Sequence, residues 1–340
     1  MTRSSSALRA ARRRACRPRQ LALLAALAAL LLAPAAAAGQ GSLAGRVVRG
    51  DAGVGGADVE LHRVARDGSG RLAGAVTGAD GSFRFDLPPA GEGGFTVFFA
   101  TATVDGVRYF GPALHPGEEG EGYRVLAFDT TSAPAAVEAV RVARRDVILV
   151  AGMRGGWEVA EVVRVENPTG RTVVGPGGTP VFGFGVPADA TDLQTEEPAL
   201  GPSEGAGGPQ DLVLVGGRVL ATVPLTPGGR DFFFRYRLPP GTGALALPLG
   251  AAVDTFALYV REPVPGVRVD GLAPGAPFDA DGERFARFGG TALPADRTVT
   301  VRWSGPGGSP VDPRLAAGVL AVVVLAGGAL LARRRRAEAA

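Results

Sequence analysis

A chain of 340 residues has room for two ordinary domains, and its 46% hydrophobic content suits globular folding together with a membrane segment. Its 52 Gly and 27 Pro, against two Trp and two Met, point to many turns and short strands and away from a protein of long helices. The formal charge of +3 invites a nucleic-acid reading that the location of the arginines excludes. Seven lie in the first nineteen residues, four are Arg333 to Arg336, and the 25 between Gln40 and Arg314 face 32 acids, leaving the body near −7.

From the N-terminus, Arg12, Arg13, Arg14, Arg17 and Arg19 precede an apolar run from Leu21 to Ala33 and then "PAAAAGQG", with small residues at Ala36 and Ala38. This is the order of an export signal over residues 1–38, with cleavage expected near Ala38; an uncleaved N-terminal anchor is the alternative. Cys16, the lone cysteine, lies ahead of the apolar core, so it is not the lipid-modified first residue of a mature lipoprotein, and cleavage removes it. The mature chain then has no thiol for a disulfide or a nucleophile.

Residues 42–140 form a first module. "GRVVRG", "ADVELHRV", "GAVTG", "GSFRFDL" and "GFTVFFATATV" read as strands separated by Gly-rich turns. In "TGADGSFRFDLPP" an Asp80-Gly81 turn precedes a run in which Phe83, Phe85 and Leu87 point one way and Arg84 and Asp86 the other, which predicts a hairpin with one buried face. Gly45-Arg46-Val47, Gly56-Ala57-Asp58-Val59-Glu60-Leu61, Thr77, Asp80-Gly81, Phe83-Arg84-Phe85 and the Pro88-Pro89 break together resemble the carboxypeptidase regulatory-like domain. Gly56 stands where that family usually has proline. The resemblance covers about a third of the chain and implies a transthyretin-like β-sandwich that accompanies catalytic or transport domains without itself catalysing a reaction.

Residues 141–304 form a second module with the same grammar. "WEVAEVVRVENPTG" alternates and stops at an Asn-Pro turn, and "TPVFGFGVP", "DLVLV", "RVLATVPL", "DFFFRYRLP", "DTFALYV" and "TVTVRWSG" supply further strands. The pieces "VRVENPTG", "FGFGVP" and "LTPGGRDFFFRYRLP" resemble bacterial Ig-like or fibronectin-like domains, which implies a large single sandwich. The polar, Gly-rich stretch from Thr191 to Gln210 is expected to be a disordered inserted loop.

Residues 305–314 read as a linker. The uncharged run from Leu315 to Ala332 spans about 27 Å as a helix, enough to cross a bilayer. The Arg333–Arg336 cluster marks the 333–340 tail as cytoplasmic and places everything before Leu315 outside. Linker, helix and arginines also resemble a tripartite sorting signal that a membrane protease removes, which is the alternative for this end.

Candidate chemistry is sparse. "GPSEG" matches Gly-x-Ser-x-Gly around Ser203, but a nucleophile elbow needs a strand entering and a helix leaving, and Pro202 sits in low-complexity sequence. His62, on the polar side of a strand, and His115, before a Pro-Gly turn, are expected to be solvated. "DADGE", Asp279 to Glu283, lacks the ligand spacing of a calcium loop and reads as a turn. Glu118, Glu119 and Glu121, and Glu196 with Glu197, read as solvated acids. "RDFFFRYRL" places Phe232, Phe234, Tyr236 and Leu238 on one face and Phe233, Arg235 and Arg237 on the other. Those last three are the candidate partner-binding residues, unless Phe233 packs under a neighbouring loop.

The expectation is therefore a mainly β chain: two tandem β-sandwich domains and one C-terminal transmembrane helix, held in the cell membrane through Leu315–Ala332. It implies no cofactor, no metal, no catalytic residue and no nucleic acid, and a non-catalytic role in binding, adhesion or assembly scaffolding with an envelope protein or polysaccharide as partner. The rival is an accessory subunit of an envelope enzyme or transport system.

Overall fold

The computed structural model describes residues 41–304 apart from 67, 90–94, 119, 153–155, 196–211, 241–242 and 281. The chain is mainly β, with a single five-residue α-helix among the described residues. Among them no helix is long and apolar enough to cross a membrane, and the expected export signal over 1–38 and the expected membrane helix over 315–332 lie outside them.

The first module contributes β1 (Ser42–Arg49), β2 (Ala52–Gly53), β3 (Asp58–Ala65), β4 (Gly68–Val76), β5 (Ser82–Asp86), β6 (Thr96–Val104), β7 (Val107–Phe110) and β8 (Gly120–Ala127). In one sheet β1 is flanked by antiparallel β2 and β5 on one side and parallel β8 on the other; the second sheet runs β4-β3-β6-β7. Both sheets give one face to a common core, with Leu43 and Val47 from β1, Val59 and Leu61 from β3, and Phe83 and Phe85 from β5. The alternation read from the sequence is realised in β5, whose residues are in turn exposed and buried. Tyr123 ties the layers together: its hydroxyl donates to Pro112 O at 2.5 Å and accepts from Ala100 N at 3.0 Å. Burial pushes its pKa up to about 12, so it remains a donor at every physiological pH.

The expected hairpin at Asp80-Gly81 is corrected. β4 and β5 belong to different sheets, and the turn carries the chain from one layer to the other. A two-residue hairpin of this type needs positive φ at both central residues; Gly81 has φ +82°, whereas Asp80 is absent from the positive-φ set of Asp105, Asp192 and Ala292. Asp105 and Gly106, at φ 51° and 76°, make the two-residue hairpin that joins β6 to β7.

The junction comprises β9 (Thr130–Thr131) and α1 (Pro134–Glu138), followed by β10 (Arg141–Ala151), β11 (Trp157–Asn167) and β12 (Thr172–Val173). β12 pairs in parallel with β9, which lies on the other side of the boundary read from the sequence. The rest of the second module contributes β13 (Phe182–Gly185), β14 (Thr191–Thr195), β15 (Leu212–Val215), β16 (Arg218–Ala221), β17 (Gly228–Leu238) and β18 (Ala244–Pro248). It ends with β19 (Val253–Arg261), β20 (Arg268–Asp270), β21 (Ala273–Pro274), β22 (Phe278–Ala280), β23 (Glu283–Leu293) and β24 (Thr298–Arg302). The main sheet runs β14-β17-β11-β10-β19-β23-β21, with β22 also on β23, and two small sheets, β13-β16-β15 and β18-β24-β20, pack against its inner face.

The start of the expected disordered loop is also corrected. Thr191–Thr195 is an ordered edge strand, because its backbone joins the ladder of β17 at Thr191↔Arg237, Gln194↔Arg235 and Thr195↔Phe234. Asp192, at φ 55°, absorbs the register shift between the first two pairs. Polar side chains do not prevent strand formation where a neighbouring edge offers hydrogen bonds. The remainder of the expected loop, from 196 on, lies outside the described residues.

Candidate functional site

β17 is the strand that the sequence singles out, and its alternation holds. Phe232, Phe234, Tyr236 and Leu238 enter the main core of the second module, while Phe233, Arg235 and Arg237 take the opposite face. Phe233 is nevertheless only 7% exposed, packed in a separate cluster with Ile148, Val162, Tyr259 and Phe285, so it is no exposed aromatic platform. The two arginines are engaged along the β14 edge. Arg237 approaches Glu158 at 3.5 Å and Asp192 at 3.4 Å, and Arg235 donates to Gln194 Oε1 at 3.3 Å. The cleft these residues line holds about 80 Å³, against roughly 300–1,000 Å³ for small-molecule pockets. A contact through Arg235 and Arg237 is therefore a surface contact.

On the inner side of the same strands lies a charged cluster that sequence reasoning missed. Arg145 and Glu161 are 0% exposed. Arg145 Nε and Nη2 donate to Glu161 Oε2 at 2.7 Å and Oε1 at 3.1 Å, a two-pronged pair, and Tyr236 donates to the same Oε1 at 2.7 Å. The guanidinium also reaches the carbonyls of Gly185 at 2.8 Å and Leu249 at 3.3 Å, and stands over the Phe184 ring at 5.1 Å. Burial first, and then the Glu161 charge, push the Tyr236 hydroxyl well above its ordinary pKa, which keeps it a donor. One cluster thus joins β10, β11 and β17 to the segments ending β13 and following β18. Every charge in it is paired and closed to solvent, which suits holding sheets together rather than chemistry. A signal for it is present in the sequence: Arg145 and Glu161 fall in phase with the apolar alternation of "RDVILV" and "WEVAEVV".

A second buried charge sits on the outer face. Asp146 is 2% exposed; Arg144 Nε donates to its Oδ2 at 2.5 Å, and its Oδ1 has no hydrogen-bond partner. Burial, as the largest cause, raises its pKa above the ordinary 3.8, against the opposing pull of Arg144. A carboxyl with a raised folded pKa contributes stability that is fully present below the unfolded value and is lost as pH rises through the folded one. Wild type should therefore gain stability relative to Asp146→Asn on acidification through the interval just above pH 3.8. Urea titrations of both proteins at stepped pH check this; a wild type that loses stability relative to the variant would show that the Arg144 pair outweighs burial.

His62, expected to be solvated, is corrected: its side chain is 18% exposed. It stacks on Phe99 at 5.0 Å because the two are cross-strand partners, and its Nε2 lies 3.2 Å from Thr101 Oγ1 and 3.4 Å from Glu60 Oε2. Burial lowers its pKa despite Glu60, which favours the neutral ring. Glu60 also gathers Arg71 at 3.1 Å and Arg108 at 3.7 Å beside an open groove of about 470 Å³. His115 is exposed, edge-on to Phe95, and its backbone N–H donates to Glu118 Oε2 at 2.6 Å, so that acid closes a turn. Glu121 is exposed. The Asp279–Glu283 stretch joins β22 to β23, with Glu283 held by Arg261 at 2.8 Å. Among the described residues no group of three or more His, Cys, Asp or Glu is placed to hold a metal ion. Glu119, Glu196, Glu197 and Ser203 lie outside them.

No family model matches the chain, and no curated protein does. Solved structures that match include a candidate protease from Parabacteroides distasonis ATCC 8503, at 11% identity and a TM-score of 0.29, over 50% of this chain and 41% of that one. A likeness at that level carries no argument about fold or activity.

Proposed function

We propose that the protein is exported and membrane-anchored, and that its β modules serve outside the cytoplasm in binding, adhesion or assembly scaffolding. The observation that carries this reading is the charge layout: an arginine-led apolar segment, an acidic body near −7, and an 18-residue uncharged segment stopped by Arg333–Arg336. Support for a non-catalytic role comes from the local settings of the candidate groups. His62 is stacked and hydrogen-bonded within a sheet, Glu118 closes a turn, and the buried charges of the second module face one another. The resemblance of the first module to carboxypeptidase regulatory-like domains remains part of the reading. Of the residues that carry it, Val47 on β1, Val59 and Leu61 on β3, and Phe83 and Phe85 on β5 contribute to one two-layer core. A partner on the second module would meet Arg235 and Arg237 at the β14–β17 edge.

The test is topological. A reporter active only outside the cytoplasm, fused after Ser304, is expected to work, and the same reporter after Ala340 to be silent. The reverse pattern, or activity at neither position, overturns the anchored reading.

A further inference from the structure

The sequence divides near residue 140, yet the connections between the two halves are not those of a free linker. Adjacent residues at the end of β12 serve different cores: Val173, its last residue, is fully buried in the core of the second module, and Val174, just after it, packs against the core of the first. The strand is fixed from both sides. Toward the first module, Thr172 N donates to Asp129 O at 2.8 Å and Val174 N to Thr131 O at 2.9 Å. Toward the second, Val173 and Leu225 exchange two backbone hydrogen bonds of 2.9 Å, and the buried Asn167 donates from Nδ2 to Leu225 O and Arg171 O, both at 2.8 Å.

Side chains close the same joint. Tyr109, a core residue of the first module, donates to Phe128 O at 2.8 Å, and its hydroxyl lies 3.1 Å from Oγ1 of the fully buried Thr172. The connecting segment is itself packed, since Ala136, Val137 and Val140 in and after α1 lie on the core of the second module. Separating the modules would therefore expose Val174 and the Tyr109–Thr172 hydroxyl pair and break the β9–β12 ladder. Modules joined by a flexible linker pay no such cost.

We infer that the two modules are one cooperative unit, in which β12 makes the folding of each half depend on the other. Thermodynamically, damage to the core of the first module lowers the stability of the second.

The chain supplies its own reporter. Its two tryptophans, Trp157 and Trp303, form an edge-to-face pair 5.1 Å apart in the second module, so fluorescence excited at the red edge, where only tryptophan absorbs, reads that module alone. Far-UV circular dichroism reads both. The full chain in dodecyl maltoside micelles is titrated with urea, as wild type and as Phe85→Leu, which trims the core of the first module. The expected result is that the fluorescence midpoint falls with the dichroism midpoint, in one coincident transition, for both proteins. A fluorescence midpoint that stays at its wild-type value while the dichroism curve splits in two overturns the inference. Should Phe85→Leu fail to fold, Val125→Ala on β8 in the same core gives the same two outcomes from a second site.

Discussion

Replacing Glu161 by alanine is expected to destabilise the second module by about 3–5 kcal/mol, the usual cost of leaving one member of a buried ion pair without its partner. After truncation the Arg145 guanidinium stays sealed from solvent with only carbonyl oxygens as acceptors, while the Tyr236 hydroxyl loses its carboxylate. Glu161→Gln should fare little better, because an amide restores shape without restoring charge. The double variant Arg145→Met with Glu161→Leu removes both charges and should recover a large part of the loss. Recovery is incomplete because Gly185 O, Leu249 O and the Tyr236 hydroxyl lose partners in exchange. Urea unfolding followed by the fluorescence of Trp157 and Trp303 measures each variant. A cost for Glu161→Ala below about 1 kcal/mol would mean that the cluster reaches water and does not hold the sheets.

Gly81→Val is the second large effect, expected at about 2–5 kcal/mol against less than about 0.5 kcal/mol for Ser82→Val next to it. Gly81 has φ +82°, where a β-branched residue is strained whatever the surrounding space. The space is also taken. A Cβ at this position would run into the backbone carbonyl of Val47 and come within 2.8 Å of Val54 N. Neither atom can move freely, because Val47 N donates to Gly81 O and Val54 N to Val47 O, both at 2.9 Å. Ser82 is exposed and already extended at the start of β5, so valine there keeps the backbone hydrogen bond from Ser82 N to Asp80 Oδ1. Equal losses for the two variants, read from the thermal unfolding of the full chain, would remove the turn from the account of how the layers are joined.

The strands were legible wherever burial is one-sided. Phe83, Phe85 and Leu87 face the core of the first module as their alternation predicts, and so do Phe232, Phe234, Tyr236 and Leu238 in the second. Pairing was not legible, because an alternating run says which face is buried and not which strand lies beside it. The Asp-Gly step at Asp80-Gly81 and the one at Asp105-Gly106 look alike in sequence, yet one changes sheets and the other makes a hairpin. The tie between the modules was not legible for a related reason: β12 is two residues long, too short for a periodic signal, and is held by backbone hydrogen bonds to β9 and Leu225 together with the burial of Val173. At the candidate site, Arg235 and Arg237 were placed on the correct face. Phe233 is packed, as the alternative to the exposed reading had it, though under no loop: its neighbour across the strands, Val162, belongs with it to a second, smaller buried layer.

The parallel pairings of β1 with β8 and of β10 with β19 set the tempo at which this molecule can form. Each joins segments widely separated along the chain, Val47 to Val125 and Val147 to Leu258. Loop-closure entropy must be overcome before such contacts stabilise anything, so domains closed this way fold late and slowly compared with hairpin-built ones. A polypeptide made from its N-terminus holds β1 without its parallel neighbour until some eighty further residues have followed. Through that interval an extended, half-apolar strand is open to wrong partners. A newly made chain is thus most vulnerable to aggregation before β8 arrives, and holding early strands apart is the assistance it would need.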